Sequence, residues 1–130
     1  MDDLYSETLL DHYNHPHHAG VLHRPSARIV KHNPLCGDVI NLDIVMTKDA
    51  KIRDVAFTGT GCALSQAGMS LLSEQMIGRT STELGAMTSA TMDSLLGIPV
   101  SPGRRTCADL GMSAVKEALL GIVTHKKIKQ

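Results

Sequence analysis

The chain has 130 residues, enough for one domain with a core of its own that needs no disulfides to hold it. Thirteen basic and thirteen acidic residues give a formal net charge of zero, which argues against the broad basic footprint of a nucleic-acid binder or of a protein riding on an anionic membrane. No apolar run approaches the roughly 20 residues of a membrane span and no charged-then-apolar leader is present, so a cytoplasmic protein is expected.

Trp is absent and Phe57 is the only Phe, so the core must be built from Leu, Ile, Val, Met and Ala. Leu4, Tyr5, Leu9 and Tyr13 recur at helical spacing and predict a short amphipathic helix from about Asp2 to Tyr13, ended by Pro16 and Gly20. A polar stretch to about Ala27 reads as loop. The period then drops to two. A first strand passes through Ile29 and Val30, and a second spans Val39 to Thr47 with Ile40, Leu42, Ile44 and Met46 on one face. Lys48, Asp49 and Ala50 turn the chain into a third strand from about Ile52 to Thr58, which completes an antiparallel meander.

After Gly61 the period lengthens again. Leu64, Ala67, Leu71, Leu72 and Met76 predict a buried helix that Gly78 ends, and two short helical pieces follow around Thr82 to Met87 and Met92 to Leu96. Ile98 to Arg105, with Pro99, Pro102 and Gly103, is a breaker-rich loop. A last helix from about Cys107 to Val123 turns Leu110, Ala114, Val115, Ala118, Leu119 and Ile122 inward and leaves Lys116 and Glu117 to water. No repeat or linker divides residues 1–130. The expected fold class is α+β, a three-stranded antiparallel sheet with helices, a short one at the N-terminus and a long one at the C-terminus.

Three cysteines carry the chemistry, and their odd number in a reducing compartment favours thiol or metal chemistry over a disulfide framework. Cys36, in Asn33-Pro34-Leu35-Cys36-Gly37-Asp38, belongs on a tight turn with a carboxylate two residues away. Cys62 follows Gly59-Thr60-Gly61 and Cys107 follows Arg104-Arg105-Thr106, so each sits where a loop enters a helical stretch. Helix N-termini and neighbouring arginines stabilise the thiolate, the form that binds metal or attacks sulfur. In a three-stranded meander the loop after strand one and the segment after strand three lie at the same end, which brings Cys36 and Cys62 together. Cys107 joins them if the last helix packs back with its N-terminus there. Three thiolates with the Asp38 carboxylate would then suit zinc or an iron–sulfur cluster. A hard oxygen donor in place of a fourth thiolate loosens retention, as a cluster donor requires. Asp38 could also simply cap the turn after Gly37.

These three segments, in this order and spacing, resemble the NifU/IscU/SufU-like family of iron–sulfur cluster assembly scaffolds, and Leu4-Tyr5, Asp11-His12-Tyr13, Pro16 and Gly20 resemble that family's opening helix and loop. The resemblance implies a three-stranded sheet backed by helices, a cysteine desulfurase as sulfur donor, and apo iron–sulfur proteins as recipients. It also implies Zn2+ or a transient [2Fe-2S] cluster bound by Cys36, Asp38, Cys62 and Cys107. The chain departs from the IscU branch, where a His precedes the third Cys and a Leu-Pro-Pro-Val-Lys segment is recognised by an Hsp70-type chaperone. Here Thr106 and Ile98-Pro99-Val100-Ser101-Pro102 stand instead, so that chaperone is not expected as a partner. It departs from the SufU branch in lacking a basic residue before Cys107 and an extra segment after Cys62, although Gly61-Cys62-Ala63-Leu64-Ser65-Gln66-Ala67 is closer to SufU.

Three functions compete: a non-catalytic scaffold, a zinc-dependent sulfurtransferase relaying persulfide sulfur, and a small zinc-stabilised interaction module. Under the first two, Cys36 and then Cys107 are the candidate sulfur acceptors, because Cys62 opens a buried helix. Arg104 and Arg105 read as a solvated or partner-facing pair. His12, His15, His17, His18, His23 and His32 read as exposed loop histidines rather than a metal-binding tract.

Overall fold

The structure, a computed structural model, describes residues 5–35 and 37–129; Leu4 and Cys36 lie outside these. A π-helical turn, Tyr5–Leu9, runs into α1, Leu10–Asn14. The sheet follows in the order β1 (Ala27–His32), β2 (Val39–Met46), β3 (Ile52–Thr60), antiparallel throughout. Its register sets Leu42 between Ile29 and Phe57, with one irregularity at Val45 and Met46. Helices α2 (Ala63–Met76), α3 (Ser81–Gly85) and α4 (Ser89–Leu96) come next. A 3-10 turn, Pro102–Arg104, then leads into α5, Arg105–Lys129. The expected α+β fold is therefore present.

The alternation of β2 fixes which face is inside. Ile40, Leu42 and Ile44 are fully buried and, with Val55 and Phe57, pack against Met69, Leu72 and Val115 of α2 and α5. The two helices cross closely at Gly111, where a Cβ would lie 3.0–3.3 Å from Met69, so this pairing tolerates no side chain without a shift. A second apolar cluster, Leu9, Leu64, Ala67, Leu71, Leu96 and Ala108, lies where α1, α2, α4 and α5 meet.

Four expectations need correction. The stretch after α1 is not a free loop: Phe57 N–H donates to His18 O and Gly20 N–H to Phe57 O, both 2.9 Å, so it straps the outer edge of β3 and satisfies groups that an edge strand would leave open. Tyr13 is 41% exposed, and His12, not Tyr13, turns inward at 8%. Lys116 does not simply face water, because its ammonium donates to Met87 O. The helix predicted from Cys107 begins two residues earlier, since Pro102 already sets helical φ for the turn that leads into it.

Candidate metal centre

The turn between β1 and β2 is closed by Asn33. Its N–H donates to Asp38 O (2.8 Å), its C=O accepts from Gly37 N–H (3.0 Å), and its side-chain oxygen accepts from Leu35 N–H (3.0 Å). Gly37 takes φ +75°, which a Cβ would resist. Cys36, between Leu35 and Gly37 in the sequence, lies outside the described residues.

Asp38 is buried at the end of the turn, 2% exposed. Its Oδ1 accepts the N–H of Cys62, the N-cap residue of α2, at 3.0 Å, while Oδ2 lies 3.5 Å from Cys62 Sγ. One oxygen is thus spent on holding the carboxylate plane, and the other faces the thiol. Gly61 makes this approach possible: its φ is +138° and a Cβ there would come within 2.7 Å of the Asp38 carboxyl carbon. Gln66 locks the same corner by donating to Thr60 O (3.1 Å) and Val39 O (3.3 Å), which ties the end of β3 to the start of β2.

The last helix does pack back. Cys107 lies in the first turn of α5, and Asn33 Nδ2 is 3.6 Å from its sulfur and 3.4 Å from Thr106 Oγ1. One oxygen of Asp38 and the sulfurs of Cys62 and Cys107 all lie within 4.8 Å of one another. Both thiols are half-buried and rest against the second apolar cluster. Two sulfurs and a carboxylate at this spacing are a donor set for zinc or iron, and metal entry would displace the thiol protons. The burial argument that set Cys62 apart weakens here, because Cys107 is as covered as Cys62.

Arg105 does not serve the thiols. Its guanidinium donates to Asp93 (2.8 Å) and to both oxygens of Asp109 (2.8 and 3.1 Å), an arrangement that raises its pKa further and ties α4 to the first turn of α5. Arg104 stays exposed. An open groove of about 550 Å3, lined by Tyr13, Pro16, Phe57, Gly61 and Gln66 among others, lies next to Gly61 beside the centre. Sequence reasoning quoted Asn33 and Gln66 without giving them these roles. Asn before Pro at the head of a turn signals such bracing, whereas nothing local marks Gln66.

The family model described as the NifU-like N terminal domain matches residues 4–129. An iron–sulfur cluster assembly scaffold protein IscU of Streptococcus pyogenes serotype M1 is 32% identical, over 92% of this chain and 84% of its own length. A zinc-dependent sulfurtransferase SufU of Bacillus subtilis (strain 168) is 29% identical, over 92% and 91%. The crystal structure of the N-terminal part of a nitrogen-fixing NifU-like protein from Brucella abortus superposes with a TM-score of 0.78 at 25% identity, covering 95% of this chain and 96% of that one.

Proposed function

The chain belongs to the family of NifU-like N-terminal domains, and from that premise we propose that it is an iron–sulfur cluster assembly scaffold. It accepts sulfur from a cysteine desulfurase, builds a labile [2Fe-2S] cluster on Cys36, Asp38, Cys62 and Cys107, and passes it to apo-proteins. The observation that carries this reading is the meeting of Asp38, Cys62 and Cys107 at one end of the sheet, each delivered by a different element. The carboxylate is held by the Cys62 amide, so Oδ2 is offered in a fixed direction as the one oxygen donor among thiolates. Oxygen binds iron less tightly than thiolate does, and Asp38 is therefore the ligand that lets the cargo go. Cys62 and Cys107, each at a helix start, keep their hold with the help of the helix dipoles.

A second reading rests on Thr106. The residue before Cys107 carries a hydroxyl that faces Asn33, not an imidazole that could ligate, which favours a SufU-like zinc-dependent sulfurtransferase. Zinc in that case holds the thiolates together and the persulfide travels on Cys36 or Cys107. One experiment separates the two: anaerobic incubation with a cysteine desulfurase, cysteine and ferrous iron, with mass spectrometry before, and absorption spectra after, a thiol reductant is added to bring the persulfide sulfur to sulfide. A scaffold gains a [2Fe-2S] chromophore, and a sulfurtransferase gains a persulfide on Cys36 or Cys107 without one. A chain that acquires neither would defeat both readings.

A further inference from the structure

We propose that His12, His17 and Glu74 form a second site for a divalent transition-metal cation, zinc by its donor set, remote from the cysteine centre. The three residues come from α1, the strap after it, and the last turns of α2. One ligand atom from each lies within 4.8 Å of the others. His12 Nε2 is 3.9 Å from Glu74 Oε1, His17 Nδ1 hydrogen-bonds to Glu74 Oε2, and the two imidazole centroids are 4.4 Å apart. Tetrahedral zinc with bonds of about 2.0–2.1 Å sets its ligand atoms about 3.4 Å apart, so small rotations of exposed side chains close the set.

The surroundings are those of a braced ligand. His12 is buried, and its other ring nitrogen, Nδ1, lies 2.7 Å from Ser70 Oγ. With Nδ1–H donating to that hydroxyl, the Nε2 lone pair points to where Glu74 waits. The same Ser70 oxygen, fully buried, accepts the His17 N–H at 2.8 Å, so one hydroxyl sets the position of both histidines. Ligating histidines are commonly fixed through their second nitrogen in this way. His17 and Glu74 stay partly open to solvent, which leaves a fourth position for water. Two nitrogens and a carboxylate suit zinc, cobalt or nickel, whereas the cysteine centre is sulfur-rich, so the two sites sort cations by softness. Glu74 lies twelve residues beyond Cys62, roughly 18 Å along α2, and the sites share no residue.

The test uses the tag-free full chain, first loaded with one zinc at the thiolates and then titrated with Co2+. One further equivalent should bind, giving the weak visible bands of nitrogen- and oxygen-ligated cobalt with no sulfur-to-cobalt charge transfer. Glu74→Gln and His17→Ala should each raise its dissociation constant at least tenfold, while His18→Ala, which removes a neighbouring ring hydrogen-bonded to Ser73, should leave it unchanged. If His17→Ala fails to fold, the near-isosteric Glu74→Gln carries the test alone. Absence of a second equivalent, thiolate charge transfer upon its binding, or undiminished affinity in Glu74→Gln would overturn the proposal.

Discussion

A buried carboxylate needs hydrogen-bond donors to stand in for the water it has lost, and here the Cys62 amide is one, through Asp38 Oδ1. Gly61 is the residue that permits this contact. Gly61→Ala would force a side chain into a left-handed φ and push a methyl onto the Asp38 carboxyl group. It should cost about 1–3 kcal/mol in urea unfolding and weaken zinc binding in the same protein. Unchanged stability and unchanged zinc affinity would show that the turn can relax away from Asp38. Removing the carboxylate itself has two opposed effects. In Asp38→Ala the Cys62 N–H loses its acceptor, so the metal-free chain should be less stable by about 1–3 kcal/mol. The cluster, once built, should leave more slowly, because the weakest donor has gone. Transfer to an apo-ferredoxin, followed by absorption, measures this, and equal transfer rates in variant and parent would remove Asp38 from the release step.

Between elements, the sheet's outer face is held by charge rather than by apolar packing. Asp43 on β2 is buried and accepts from Arg28 Nε (2.8 Å) on β1 and from Leu22 N–H (2.9 Å) in the strap. The Arg28 hydrogen bond, more than the Leu22 one, holds the Asp43 carboxyl below its ordinary value against the opposing effect of burial. A lowered folded pKa means stability that is present above the ordinary carboxylate range and lost as pH falls through it. Asp43→Asn should therefore cost about 1–2 kcal/mol near pH 7, with the half-exposed Arg28 limiting the loss, and the gap from the parent should close below about pH 4. Urea unfolding at pH 7, 5 and 3 reads this directly; a gap constant across the three would mean that shape, not charge, is what Asp43 supplies.

Elements of this kind mark the limit of what the chain reveals locally. The strands, α2 and α5 were legible because period and punctuation are local: Ile40, Leu42 and Ile44 alternate, and Gly61 and Gly78 bracket α2. Asp38, Cys62 and Cys107 were legible because each stands at a turn or helix start that the same punctuation marks. Asp43, alternating outward and polar, reads as exposed until the strap covers it. His12 reads as exposed until Ser70, 58 residues later, receives it. Such burials are set by long-range docking of an irregular segment, which leaves no periodic trace.

At the scale of the molecule, the turn after β1, the start of α2 and the start of α5 converge over one apolar cluster, and the groups they deliver are a carboxylate and thiols. Without a cation, ionised groups gathered this closely oppose the docking of the elements that carry them. With one, the same groups join three distant parts of the chain. Metal bound only by the folded state adds stability by mass action, about 2.7 kcal/mol when free zinc stands a hundredfold above its dissociation constant. For a chain of this length that corresponds to a rise in melting temperature on the order of ten degrees. Chelation should lower the melting temperature by that amount, and restored zinc should recover it. Because His12, His17 and Glu74 would also lose their ion to a chelator, the measurement belongs in Glu74→Gln, where the shift that remains reports the cysteine centre alone. A Glu74→Gln protein that melts at the same temperature with and without zinc would mean that the folded chain binds the ion no better than the unfolded one, and would count against a metal site at Asp38, Cys62 and Cys107.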